Sequence, residues 1–217
     1  MLRFIWINCS LRETKIMRSL ILLLATAIVL SAADLKLKTS DASPPKELDA
    51  SIQKLLQAKV IQLTDGDQPV FQFWLVKELP GAKALDAVKP ATLLGAVAVS
   101  KPQRDYRDDD LAAGVYTMRL ALQPQDGNHL GSADFVTFAV LTPAKLDTKP
   151  DGIADYKSLV KASSKETTTD HPVILSLRPT KGDAIELVEP APEHKSVRVK
   201  IPGSVSFEIV YEGKGHK

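Results

Sequence analysis

The chain has 217 residues, 44% hydrophobic and 25% charged, the proportions of one ordinary folded domain or two small ones. They exclude wholesale disorder, a collagen-like repeat and a multi-span membrane protein. Lys and Arg number 28 against 26 Asp and Glu, a formal net charge of +2, so no basic field points to nucleic acid; the lone Cys9 excludes a disulfide scaffold and a cysteine-based zinc cage.

The run Leu20 to Leu30 is apolar apart from one Thr, with Met17-Arg18 shortly before it and Ser31-Ala32-Ala33-Asp34 after it. A short positive start, a brief apolar stretch and small residues before a cut site describe a secretory signal peptide. The run falls short of the roughly 20 residues that cross a bilayer. Residues 1–33 are therefore read as a signal peptide. Met17 makes the better start, because Trp6, Cys9 and Glu13 suit such a signal poorly. No cysteine follows the run, so a lipoprotein anchor is not expected. Cleavage after Ala33 would leave a cysteine-free chain, secreted or periplasmic, with no stable membrane span and stabilised by its core alone.

Residues 34–46 read as a loose polar leader, at whose end Ser43-Pro44-Pro45 opens a short helix. Leu48, Ile52, Leu55 and Leu56 supply that helix with one apolar stripe. From Lys59 the period changes to two. Lys59–Leu63 and Val70–Lys77 flank Asp65-Gly66, a hairpin signal. In the second run Phe71, Phe73 and Leu75 share one face and Val70, Trp74 and Val76 the other, which predicts a strand covered on both sides. Leu93–Val99 follows. In Val115–Leu122, Tyr116, Met118, Leu120 and Leu122 point inward, Thr117 and Arg119 outward. Next come strands over Phe135–Leu141, Val173–Leu177 and Ala184–Val188, with a helix near Gly152–Ala162 that places Ile153, Tyr156 and Val160 on one face. Val197–Ile201 and Val205–Tyr211 close the chain around Pro202-Gly203, a type II turn signal.

Eight or nine short strands without βαβ alternation predict a mainly β fold: an antiparallel immunoglobulin-like β-sandwich with one or two peripheral helices, one domain over residues 47–217. Gly114 two residues before Tyr116 at a strand head fits a tyrosine corner; the competing reading is a plain core aromatic.

Chemistry concentrates in polar loops. Gln123, Gln125, Asp126, Asn128 and His129 fall within seven residues around Gly127, rich in groups that hydrogen-bond or ligate; the competing reading is an ordinary turn. Asp170-His171-Pro172 stands at the mouth of a strand, with His171 held extended by the proline. If the two loops share one end of the sandwich, His129, His171 and Asp126 or Asp170 make a mixed imidazole–carboxylate site suited to zinc, copper, nickel or iron. The spacing of the histidines does not itself support a metal. His194 and His216 lie in polar segments expected to be exposed. Arg104 to Asp110 contains three consecutive aspartates, yet lacks calcium-loop spacing and reads as a solvated charged loop. No G-x-S-x-G elbow, phosphate-cradling loop or H-E-x-x-H motif occurs.

Four stretches, Asp65-Gly66 through Phe73-Trp74-Leu75, Asp105-Tyr106-Arg107 through Gly114-Val115-Tyr116, Leu122 through His129, and Asp170 through Leu177, resemble an uncharacterised family of exported proteins from environmental bacteria. The resemblance covers about Leu48 to Leu177 and implies no established activity. It does imply that the Asp126–His129 and His171 segments belong to what defines the family. The expected function is an exported, non-catalytic binding or structural module, without a cofactor and with a partner in the cell envelope or outside the cell. The alternative is a metal-binding protein or metal-dependent enzyme using a divalent ion at His129, His171 and Asp126.

Overall fold

The computed structural model describes residues 34–105, 109–123, 135–151, 153, 155–166, 171–192 and 194–213, and Asp34–Lys217 forms one compact unit. In chain order the elements are β1 (Lys36–Asp41), α1 (Ala50–Gln53), β2 (Lys59–Asp65), β3 (Gln68–Leu75), β4 (Leu93–Val99), the short β5 (Gln103–Arg104) and β6 (Asp110–Leu111), β7 (Gly114–Leu122) and β8 (Thr137–Pro143). They continue through α2 (Tyr156–Ser163), β9 (Ile174–Pro179), β10 (Glu186–Ala191), β11 (His194–Lys200) and β12 (Ser206–Glu212). The fold is mainly β and antiparallel, as the alternation predicts.

Ten strands belong to one continuous sheet in the order β1-β2-β3-β4-β7-β8-β9-β12-β11-β10, where a sandwich calls for two sheets. The sheet bends until it nearly closes into a barrel. Asp34, just before edge strand β1, accepts a hydrogen bond from Lys195 Nζ of β11 at 3.1 Å. A shallow gap of about 280 Å³ lined by Leu35, Leu187, Val188 and Tyr211 lies between the two edges. Phe71 of β3 and Tyr211 of β12, with four strands between them in the sheet order, meet across the interior with ring centroids 6.2 Å apart. That interior is filled by side chains including Phe73, Val97, Met118, Leu141, Leu175 and Phe207.

Local chemistry explains the corners. Gly66 takes φ 59° at the first central position between paired Asp65 and Gln68, the residue a two-residue hairpin loop demands there. Gly203 takes φ 66° after Pro202, and Ser204 N–H closes the turn on Ile201 O at 3.1 Å. The tyrosine corner is present: buried Tyr116 donates its hydroxyl to Ala112 O at 2.9 Å, four residues upstream, across the open face of Gly114. The loop between β3 and β4 buries Leu79, Ala82, Leu85 and Val88 over one end of the interior, and Ser204 Oγ holds it by donating to Leu79 O and Ala82 O.

Three local expectations are corrected. The leader is not loose throughout, because Lys36–Asp41 pairs with β2 over its whole length; as an edge strand exposed on most positions, it carries no apolar alternation. Helix α1 starts at Asp49, whose carboxylate caps Ser51 N–H at 2.8 Å, rather than at Ser43, and Leu55 is 40% exposed because the chain has already turned to pair beside Val76. Helix α2 buries Leu159 and Ser163, not Val160, with Tyr156 packed alongside. Its cap, Asp155, accepts from the Ser158 backbone and hydroxyl, which holds its carboxyl below the usual carboxylate range. Among the described residues no helix is long and apolar enough to cross a membrane.

Candidate functional site

Residue alternation puts Thr117, Arg119 and Ala121 of β7 on the outer face of the barrel, opposite Tyr116, Met118 and Leu120. Outward does not mean wet here. The chain after β8 folds back over this face, so Ala121, Phe138, Val140, Ile153, Leu159 and Ile174 form a second apolar cluster. The same cover brings Asp147 over Arg119.

Arg119 and Asp147 are a fully buried ion pair, with side chains 1% and 0% exposed. Arg119 Nε donates to Asp147 Oδ2 at 2.7 Å and Nη2 to Oδ1 at 2.9 Å, a bidentate fork. Nη2 also donates to Lys149 O and Nη1 to Ala91 O, each at 2.8 Å, while Thr117 Oγ1 donates to Asp147 Oδ2. Multiple hydrogen bonds of this kind are what allow a buried pair to persist against its desolvation cost.

Ala91 is the one residue other than glycine with positive φ among the described residues, at 65°. A left-handed alanine costs about 1–3 kcal/mol and persists only where its surroundings over-determine it. They do so here: Ala91 N–H donates to Leu120 O at 2.7 Å, Leu120 N–H to Thr92 O at 2.9 Å, and the Ala91 carbonyl accepts from Arg119. Just beyond, the β4–β7 register shifts between Leu93 and Gly95, a bulge that places Leu93 opposite Arg119.

Around this anchor opens a cleft of about 560 Å³, with Arg119 in its lining. Leu55, Val76, Leu79, Leu93 and Ile153 give it apolar walls, Pro80, Pro90 and Pro150 stiffen its frame, and Lys54, Lys77 and Lys89 stand in it with Glu78 and Asp151. The volume falls in the range of small-molecule sites, about 300–1,000 Å³.

Of the residues singled out in the loops, Gln123 is buried, and its backbone N–H donates to Val136 O at 2.7 Å. His171 is exposed, three residues before β9. Gln125, Asp126, Asn128, His129, Asp170 and His216 lie outside the described residues. His194 is half-buried within β11, correcting the exposed segment expected, and its Nδ1 lies 2.9 Å from Pro192 O. Among the described residues no three His, Cys, Asp or Glu side chains are grouped to hold a metal. The Arg104–Asp110 stretch is not wholly a solvated loop: Asp105 is buried, accepting from Asp109 N–H at 3.0 Å and Ile174 N–H at 3.3 Å, which ties the β5–β6 hairpin to β9.

Alternation along β7 assigns Arg119 to the outer face, where it lies, but carries no sign of its pairing with Asp147, 28 residues on. Comparisons with protein-family models, with curated proteins and with solved structures find no match.

Proposed function

We propose that this chain is an exported, non-catalytic binding module whose ligand occupies the cleft on the outer wall beside Arg119. One observation carries the reading: an apolar, proline-framed cleft stands over a buried guanidinium fixed by the carboxylate of Asp147 and two backbone carbonyls. Such an anchor is pre-organised, so binding orders little that is not already ordered. The filled interior supports the same reading, because it directs a ligand to the outside of the barrel. Export rests on the Met17–Ala33 pattern and on the resemblance to exported bacterial proteins.

Ligand-observed NMR with a mixture of small-molecule fragments tests the site. Hits should bind the intact chain and be lost from Thr92→Trp, which places an indole in the cleft. Hits that bind the variant unchanged would put the site elsewhere.

A further inference from the structure

We infer that the cleft takes an amphiphilic carboxylate, its head at Arg119 Nη1 and the lysines and its apolar body along Leu55, Val76, Leu93 and Ile153. This rests on the proposal that the cleft is a ligand site and adds the chemistry of what enters it.

The first ground is the hydrogen-bond inventory of Arg119. A guanidinium carries five N–H groups. Among the described residues four are used: Nε on Asp147, both on Nη2, and one on Nη1. The fifth, on Nη1, has no acceptor there. Of the residues that accept from Arg119, Ala91 alone lines the cleft, and it binds Nη1; Asp147 and Lys149 do not line it. The unsatisfied N–H therefore belongs to Nη1, the nitrogen bonded to cleft-lining Ala91, in a side chain that lines the cleft and is 1% exposed. A buried cationic donor without an acceptor is costly, and a carboxylate oxygen satisfies it with a charge-assisted bond.

The second ground is charge at the rim. Lys54 and Lys89 are exposed, and their ammonium groups make no hydrogen bond or ion pair among the described residues. Lys77 Nζ donates to Lys54 O at 2.7 Å and keeps two N–H groups for a ligand. Glu78 and Asp151 also line the cleft and repel an anion, so Arg119 and the lysines are the groups left to hold a carboxylate head. Apart from Thr92 the rest of the lining is apolar, and Leu55, 40% exposed, is an uncovered leucine that an alkyl chain or ring would bury.

Isothermal titration of the intact chain with decanoate, decanol and decyltrimethylammonium, each below its micelle concentration, separates the outcomes. Decanoate should bind saturably, one to one, and more tightly than either of the others. Lys54→Gln with Lys89→Gln, on exposed side chains that leave the fold intact, should weaken decanoate by about threefold or more and leave decanol unchanged. Decanol binding as tightly as decanoate, or a preference for the ammonium, would overturn the carboxylate while leaving the cleft a ligand site. No decanoate binding up to about 1 mM would also overturn it. Equal binding of all three to Thr92→Trp would remove the cleft itself as the site.

Discussion

Replacing Asp147 by alanine removes the anion from a guanidinium almost wholly shielded from water. Arg119 is 1% exposed and would keep only the carbonyls of Ala91 and Lys149, while Thr117 Oγ1 would lose its carboxylate acceptor. Breaking a buried pair from one side costs about 3–5 kcal/mol, because the remaining charge stays desolvated and unpaired. In a domain of this size each kcal/mol moves Tm by roughly 2–4 °C, so thermal unfolding of Asp147→Ala should fall by about 6–20 °C. Arg119→Met with Asp147→Leu removes both charges and fills similar volume, and it should recover most of that loss, since apolar replacement of a buried pair is often neutral or stabilising. Urea titration of wild type, Arg119→Met, Asp147→Leu and the double variant closes the cycle. A single-variant cost below about 1 kcal/mol, the value for an exposed pair, would refute the burial argument. So would a double variant as unstable as the two singles added together.

Further perturbations probe other parts of the fold. A Cβ on Gly95 would lie 2.4 Å from the Trp74 carbonyl oxygen and 3.1 Å from Leu75 Cα, both backbone, so Gly95→Ala should lose about 3 kcal/mol or fail to fold, read by chemical denaturation. Ala91→Val, at φ 65°, should lose about 1–3 kcal/mol in the same assay, whereas Ala91→Gly should hold or slightly gain stability. Burial, with smaller contributions from Glu212 and Asp34, raises Tyr211 to about 12 from an ordinary value of 10.0. The neutral phenol is thus favoured by folding: its contribution of about 2–3 kcal/mol is whole below pH 10 and lost as pH rises towards 12, and ultraviolet titration should lose that late transition in Tyr211→Phe. N-terminal sequencing of the exported product should begin near Asp34; recovery of residues 1–33 on the exported chain would contradict the signal reading.

The strands were legible because alternation is local. Leu93–Val99 matches β4 residue for residue, and Phe73, Trp74, Tyr116, Met118 and Leu120 are buried as their positions predict, whereas Leu122, at the end of β7, is 39% exposed. The turns were legible where Gly66 and Gly203 supply a positive φ that few other residues accept. What escaped depends on contacts distant in sequence. β1 is recognisable only beside β2, since Lys-Leu-Lys-Thr-Ser-Asp on an edge need not alternate. Arg119 meets Asp147 across 28 residues, and the aspartate sits in an ordinary polar stretch, Leu146 to Asp151. Local periodicity assigns a side chain to a face; which chain later covers that face is a tertiary event. Two flat sheets and one curled sheet likewise share the same alternation, so a sandwich and a nearly closed barrel read alike strand by strand.

The most direct test of the outer-wall cleft as the ligand site is an amide NMR titration of the intact chain with decanoate. Shifts should concentrate at Leu55, Lys77 and Ala91–Leu93, with the Arg119 Nε–H resonance moving as the carboxylate arrives. Shifts confined to the Gln123–His129 and Asp170–His171 loops, with the cleft amides unmoved, would contradict the account and place ligand chemistry in those loops.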